Sequence, residues 1–211
     1  TYYKDRIMDN NEDFSKDTEK KKSVFASVME WIIPLAIAVA AALLINRFIL
    51  LNSTIESPSM ETTLMTGTHV MGNRLSYLFG SPERGDIIFF KSPENEDEIY
   101  IKRVIGLPGE KVHIRNNEGY INDSFDCLEE NYTRGKTFDC DVYGDKSKYT
   151  DVEIPEGCYL VMGDNRENSS DSRSWGYVKE EDIYARAFVI YWPFSEFKLL
   201  DSPEYSSDSA D

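Results

Sequence analysis

The sequence predicts a mainly β protein: an antiparallel β-sheet domain with an inserted β subdomain, preceded by one transmembrane helix. Three observations predict it. A single apolar run, Trp31–Leu51, stands near the N-terminus. Beyond it come short stretches rich in β-branched and aromatic residues, separated by Gly, Pro and Asn turn signals. No sustained apolar period of 3.6 residues, the mark of amphipathic helices, follows Leu51.

Composition bounds the possibilities. The 211 residues suit one medium domain with an appendage, and 13% aromatic content argues against wholesale disorder. With 23 basic and 38 acidic side chains the net charge is −15. That balance argues against nucleic acid as a partner, because phosphate neutralisation needs clustered Lys and Arg. A mean hydropathy of −0.47 excludes several spans but leaves room for one. Residues 1–47 carry equal numbers of basic and acidic groups, so the whole excess falls on residues 48–211. The chain begins with Thr1, as a fragment or a processed protein would.

In chain order, residues 1–23 read as a polar, disordered leader and residues 24–51 as a signal-anchor helix. The 21 residues of Trp31–Leu51 would extend about 32 Å as a helix, enough for a hydrocarbon core of roughly 30 Å. Arg47 near one end could snorkel, and Trp31 suits an interfacial anchor. A buried core helix and a cleavable signal peptide are the competing readings. Lys20, Lys21 and Lys22 precede the run, so the positive-inside rule places the N-terminus in the cytoplasm and residues 52–211 outside.

Strands are predicted at Asp86–Lys91, Tyr100–Ile105, Lys111–Arg115, Cys158–Met162 and Ala185–Trp192. They assign residues 52–116 and 153–199 to one β domain. Residues 117–152 are charged and poor in aliphatics, and read as an inserted subdomain or long hairpin. Residues 200–211 read as a disordered acidic tail. Cys127 and Cys140 both lie in the insert and form the favoured pair if any disulfide exists; three free thiols are the alternative. Cys158 sits in a strand and reads as a buried apolar residue. No Cys/His cluster is present, so no metal or other cofactor is expected. His69 and His113 have strand contexts and read as structural, so a hydrolase built on this chain needs a base other than His.

Lys102 supplies a candidate. Alternation places Tyr100, Lys102 and Val104 on one face of a strand and Ile101, Arg103 and Ile105 on the other. A buried Lys is pushed toward its neutral form. At a reference pKa near ~10.4 only about one Lys in 2,500 is neutral at pH 7, and a pKa of ~8 requires roughly 3 kcal/mol of differential burial. The neutral amine can then serve as a general base. Alternation alone does not decide whether Lys102 or Arg103 is the buried residue. A hydroxyl for such a base is offered by Ser57-Pro58-Ser59-Met60, where Pro58 fixes the local backbone; a polar linker is the plainer reading of that segment.

Four segments in order carry a resemblance. Ser57–Leu64 (SPSMETTL), Arg84–Ile88 (RGDII), Tyr100–Glu110 (YIKRVIGLPGE) and Gly163–Arg173 (GDNRENSSDSR) resemble the motif boxes of the bacterial type I signal peptidases. These are membrane-anchored Ser/Lys endopeptidases, and the Gram-positive type has a single N-terminal span. The match covers most of residues 30–195. Thr62 departs from the pattern, which usually has Pro there.

The resemblance implies a serine endopeptidase that removes signal peptides from exported preproteins, cutting after small residues in an Ala-x-Ala pattern. Carried over by position, Ser59 is the nucleophile and Lys102 the general base. Ser57 donates to the oxyanion beside the Ser59 N–H. Ser169 orients the Lys102 amine, and Asp171 and Arg173 form a supporting ion pair. Gly163 and Asn165 shape a turn. Met60 and Tyr100 are assigned to the substrate side, with Met60 also packing beneath the site. The implied partners are signal peptides and the lipid bilayer, and the protein is expected to be a monomer. Leu75–Phe79 and Tyr191–Phe194 could dip into the outer leaflet, with ordinary core burial an equal reading of either. A soluble Ser/Lys autoprotease of the SOS-repressor type is disfavoured by the span and the acidic balance. A sortase-like enzyme lacks its Cys/His/Arg set. A membrane-anchored, non-catalytic binding or scaffold protein with a protease-like fold is the alternative, disfavoured because Ser59, Lys102 and Ser169 are all present.

Overall fold

The structure, a computed structural model, describes residues 28–140, 146–203 and 205. The predicted leader and most of residues 200–211 lie outside the described residues. A helix α1 spans Val28–Phe48, a 21-residue element long and apolar enough to cross a bilayer. It ends three residues before the apolar run does. Leu50 and Leu51 instead belong to strand β1 (Leu50–Thr54), where Leu51 is buried. The run is continuous in sequence but serves two elements, because β1 finds a hydrogen-bonding partner in β2 (His69–Asn73).

From Ile49 onward the chain forms a separate β unit. The predicted strands are present as β3 (Ile87–Lys91), β4 (Ile99–Gly106), β5 (Val112–Arg115), β7 (Cys158–Met162) and β9 (Ile183–Trp192). Further short strands are β6 (Glu118–Ile121), β8 (Val178–Lys179) and β10 (Lys198–Leu199). The main sheet has eight strands in the order β1-β2-β9-β3-β4-β7-β8, with β10 also on β9, and every pairing is antiparallel. The hairpin β5–β6 forms a second, two-stranded sheet. The fold class is therefore mainly antiparallel β with one N-terminal apolar helix. In the insert, β6 is followed by irregular chain with isolated bridges, among them Arg134 to Asn165.

The centre of the sheet is covered on both faces. On β3, Ile87 and Phe89 join one core cluster with Met60, Leu64 and Val70, whereas Ile88 and Phe90 join another with Val104, Tyr159 and Val161. A third cluster gathers Ile105, Leu160 and Met162 against Val112, Ile121 and Ile154. Strands buried on both faces read as continuous apolar runs, as IIFF at Ile87–Phe90 does. Two residues of the tail segment, Leu200 and Tyr205, are buried in these clusters. Cys127, Cys140 and Cys158 are all unpaired thiols, each partly exposed.

Candidate active site

Ser59 sits in the single 3₁₀ turn Pro58–Met60 that follows β1. Pro58 occupies the first helical position, where its fixed φ is favourable and its missing N–H costs nothing. Ser57, just before, is extended (φ −118°). Met60 is fully buried with Ile55, Leu64 and Val70, which fixes which way the neighbouring Ser59 points. Met60 therefore forms the floor of the turn and offers no surface to a substrate.

Lys102 lies in the middle of β4, opposite Ile88 of β3. Its Nζ is 2.8 Å from Ser59 Oγ, and Ser59 Oγ is 3.1 Å from Ser57 Oγ. Lys102 is 5% exposed and Ser59 6%. Burial pushes the ammonium down to about 8, against the opposing pull of the Asp171, Asp164 and Glu94 carboxylates. The Nζ also donates to the Ile101 carbonyl at 3.1 Å and stands 5.6 Å from the centre of the Tyr100 ring. Tyr100 is half-buried and borders the amine. A neutral amine this close to a shielded hydroxyl can take its proton.

The loop 163–173 backs this pair. The Asn165 N–H donates to the Ser59 carbonyl at 3.0 Å and its Nδ2 to the Pro58 carbonyl at 3.1 Å, so one residue holds the turn twice. Gly163 is required by close approach: a Cβ there would lie 2.3 Å from Ser169 Oγ and 2.4 Å from the Ser59 carbonyl oxygen. Asp171 and Arg173 form a bidentate pair at 2.8 Å that is buried, not superficial. Burial alone would raise the Asp171 carboxyl, but the Arg173 guanidinium and the Gly163 N–H hold it below its usual range. Ser169 differs from expectation. Its Oγ is shielded from solvent against Gly163 and makes no hydrogen bond to Lys102; the Ile101 carbonyl holds the amine instead.

Sequence reasoning missed the partners of Arg103. On the opposite face of β4, its guanidinium makes a bidentate pair with Asp164 (2.9 and 2.7 Å) and donates to the Gly85 carbonyl at 2.8 Å. Thr63 Oγ1 donates to Asp164 Oδ2 at 2.5 Å. All four residues stand inside the quoted motif boxes, which was the available signal. Neither histidine approaches Ser59: His69 Nδ1 bonds Thr54 Oγ1 and His113 Nδ1 bonds Asp151 Oδ1. Among the described residues no His/Cys/Asp/Glu group could hold a metal.

The family model for signal peptidases, peptidase S26, matches residues 28–192. Signal peptidase IB of Staphylococcus aureus (strain MRSA252) is 37% identical over 187 residues, covering 84% of this chain and 96% of the relative. A probable signal peptidase I-2 of Synechocystis sp. is 38% identical over 168 residues, covering 77% of this chain and 72% of the relative. A crystal structure of a signal peptidase I from Enterococcus faecalis aligns at 37% identity and a TM-score of 0.42, covering 51% of this chain and 97% of that one. The chain belongs to the signal peptidase family, peptidase S26.

Proposed function

We propose that this protein is a membrane-anchored serine endopeptidase that removes N-terminal signal peptides from exported preproteins, with Ser59 as nucleophile and Lys102 as general base. The observation that carries the assignment is the 2.8 Å contact between Ser59 Oγ and a buried Lys102 Nζ. In the acylation step the neutral Lys102 amine takes the Ser59 hydroxyl proton as Oγ attacks the scissile carbonyl carbon. The oxyanion forms beside the Ser57 hydroxyl and the Ser59 N–H. The Lys102 ammonium then gives its proton to the departing amine. A water, deprotonated by the neutral Lys102 amine, then attacks the acyl carbon; the C–Oγ bond breaks and the Lys102 ammonium returns that proton to Ser59 Oγ. Asp171 and Arg173 support the loop that holds the Ser59 turn.

The substrate is an extended segment with small residues before the cut, added as a strand beside the site. Tyr100, at the edge of the amine, borders its path. Helix Val28–Phe48 anchors the enzyme where the apolar substrate segment resides, raising effective concentration. The N-terminus is cytoplasmic and the β unit lies on the outer face of the plasma membrane. Exposed Leu78 and Phe79, with Trp192 and Phe194, contact lipid, and the enzyme acts as a monomer. The test is cleavage of a preprotein in detergent by wild type, Ser59→Ala and Lys102→Ala, with sequencing of the product's new N-terminus. Folded but inactive variants and a cut after Ala-x-Ala are expected; equal activity in all three would overturn the assignment.

A further inference from the structure

The stretch 130–138 lies in the insert, remote in sequence from the quoted motifs, yet it touches both loops that form the site. On one side it holds the chain just after Ser59. Thr62 Oγ1 donates to the Tyr132 carbonyl at 2.6 Å, and Arg134 pairs with Glu61 at 3.2 Å. On the other side it holds the loop 163–173. The Arg134 N–H donates to the Asp164 carbonyl at 2.8 Å, and the Arg166 N–H returns a bond to the Arg134 carbonyl at 2.9 Å. The Arg166 guanidinium, 2% exposed, reaches Thr137 Oγ1 at 2.7 Å and Glu130 Oε2 at 2.8 Å. Gly135, at φ 78°, lets the chain pass Glu167, whose Cγ would be 2.6 Å from an added Cβ. The Tyr132 ring packs 4.0 Å from the Arg103 guanidinium carbon.

These contacts converge on the position of Ser59. The turn is gripped from below by Asn165 and from its C-terminal side through Glu61 and Thr62, and both grips are tied to one segment. We propose that residues 130–138 act as a brace for the Ser59–Lys102 pair, and that Thr62 is a positioning residue acting through the Tyr132 carbonyl. Thr62 stands where the resembling motif has Pro. A proline stiffens a turn through its own ring and has no hydroxyl to donate. Here the stiffness comes from outside the turn, through a side-chain hydrogen bond to the insert. Small errors in the placement of reacting atoms carry large rate penalties, so such a brace acts on turnover more than on substrate binding. The proposal rests on the Ser59/Lys102 reading above.

The test uses the full chain in detergent and a preprotein with an Ala-x-Ala site. Thr62→Val removes the hydroxyl at nearly constant volume, and Thr62→Ser keeps it. Active enzyme is counted by titration with a covalent serine-directed probe, so that misfolded protein does not enter kcat. For Thr62→Val, kcat should fall roughly 3- to 10-fold, the range expected for one hydrogen bond, with KM little changed. Thr62→Ser should recover most of the loss. Arg134→Gln, at an exposed position, should lower kcat in the same direction by a smaller factor and serves if Thr62→Val does not fold. Wild-type kcat in both Thr62→Val and Arg134→Gln, or a Thr62→Ser variant as impaired as Thr62→Val, would overturn the brace. Ser59→Ala separates the two readings. If it still cleaves, the assignment of the nucleophile falls; if it is inactive while Thr62→Val and Arg134→Gln both match wild type, only the brace falls.

Discussion

The acid limb of the pH–rate profile should report Lys102. Its ammonium is pushed down to about 8 by burial. At that value about 9% of the enzyme carries a neutral amine at pH 7 and about 91% at pH 9, against roughly one in 2,500 at pH 7 for an unperturbed Lys. If the neutral amine is the base, kcat/KM rises roughly tenfold between pH 7 and pH 9 and then levels. The assay is initial-rate cleavage of an Ala-x-Ala preprotein in detergent from pH 6 to 10, with enzyme integrity checked at each pH. A profile flat across pH 7–9, or one still climbing with full slope between pH 9 and 10, would refute the reasoning. The same shift fixes a stability effect of definite sign. The folded-state pKa lies below the unfolded one, so the unfolded chain binds the proton more tightly. The resulting destabilisation is fully present below about pH 8 and is relieved as pH rises toward the ordinary Lys value. Lys102→Met should therefore abolish cleavage and, at pH 7, unfold at no lower urea concentration than wild type. At most about 3 kcal/mol is recovered, less whatever imperfect packing costs.

Asp171→Asn leaves Arg173 charged and buried without its partner, and should cost about 3 kcal/mol or more in urea unfolding. It also removes the first of the carboxylates that hold the Lys102 ammonium up, so the acid limb should move to lower pH; a limb displaced upward would contradict the assigned electrostatics. Gly163→Ala drives a methyl group against the Ser59 carbonyl, and should cost about 1–3 kcal/mol and lower kcat; wild-type stability and turnover would show that the loop has room that its geometry denies. Replacing exposed Leu78 and Phe79 by Ser should weaken cleavage in phospholipid vesicles while leaving Tm unchanged, and equal activity in vesicles would remove this surface from the lipid interface.

What the sequence made legible follows from where the physical signal is local. The five predicted strands are apolar runs between turn residues, and each appears within a residue or two of its expected bounds. Strand β1 was hidden because Leu50 and Leu51 continue the apolar helix without a compositional break. Ser59, Lys102 and the 163–173 loop stand in quoted motifs, but their contacts join residues 43 or more positions apart, as for Ser59 and Lys102. The Thr62–Tyr132 bond joins residues 70 apart and follows no pattern of composition. Tyr205 was unreadable for a different reason. Its acidic, Ser-rich neighbours suggest disorder, yet the side chain is buried and its hydroxyl meets that of Tyr132 at 2.7 Å.

The undecided choice between Lys102 and Arg103 has a physical resolution in the sheet. Alternation identifies one buried face only when the other faces water. β4 lies between β3 and β7, with side chains packed on both of its faces, and both cations are buried. Their fates differ because their partners differ. Arg103 meets Asp164 in a bidentate pair and the Gly85 carbonyl, so its charge is compensated, as the fork of a guanidinium allows. Among the described residues, Lys102 has no carboxylate in hydrogen-bond contact; its partners there are the Ser59 hydroxyl and the Ile101 carbonyl. The uncompensated ammonium is the one that burial neutralises, and it is the one beside a hydroxyl. Exchanging the two residues would place a permanent cation next to Ser59 and a titrating amine against Asp164. The Lys102→Arg, Arg103→Lys double variant should therefore lack cleavage at every pH between 6 and 10, whereas a variant that regained activity at high pH would show that some other group supplies the base.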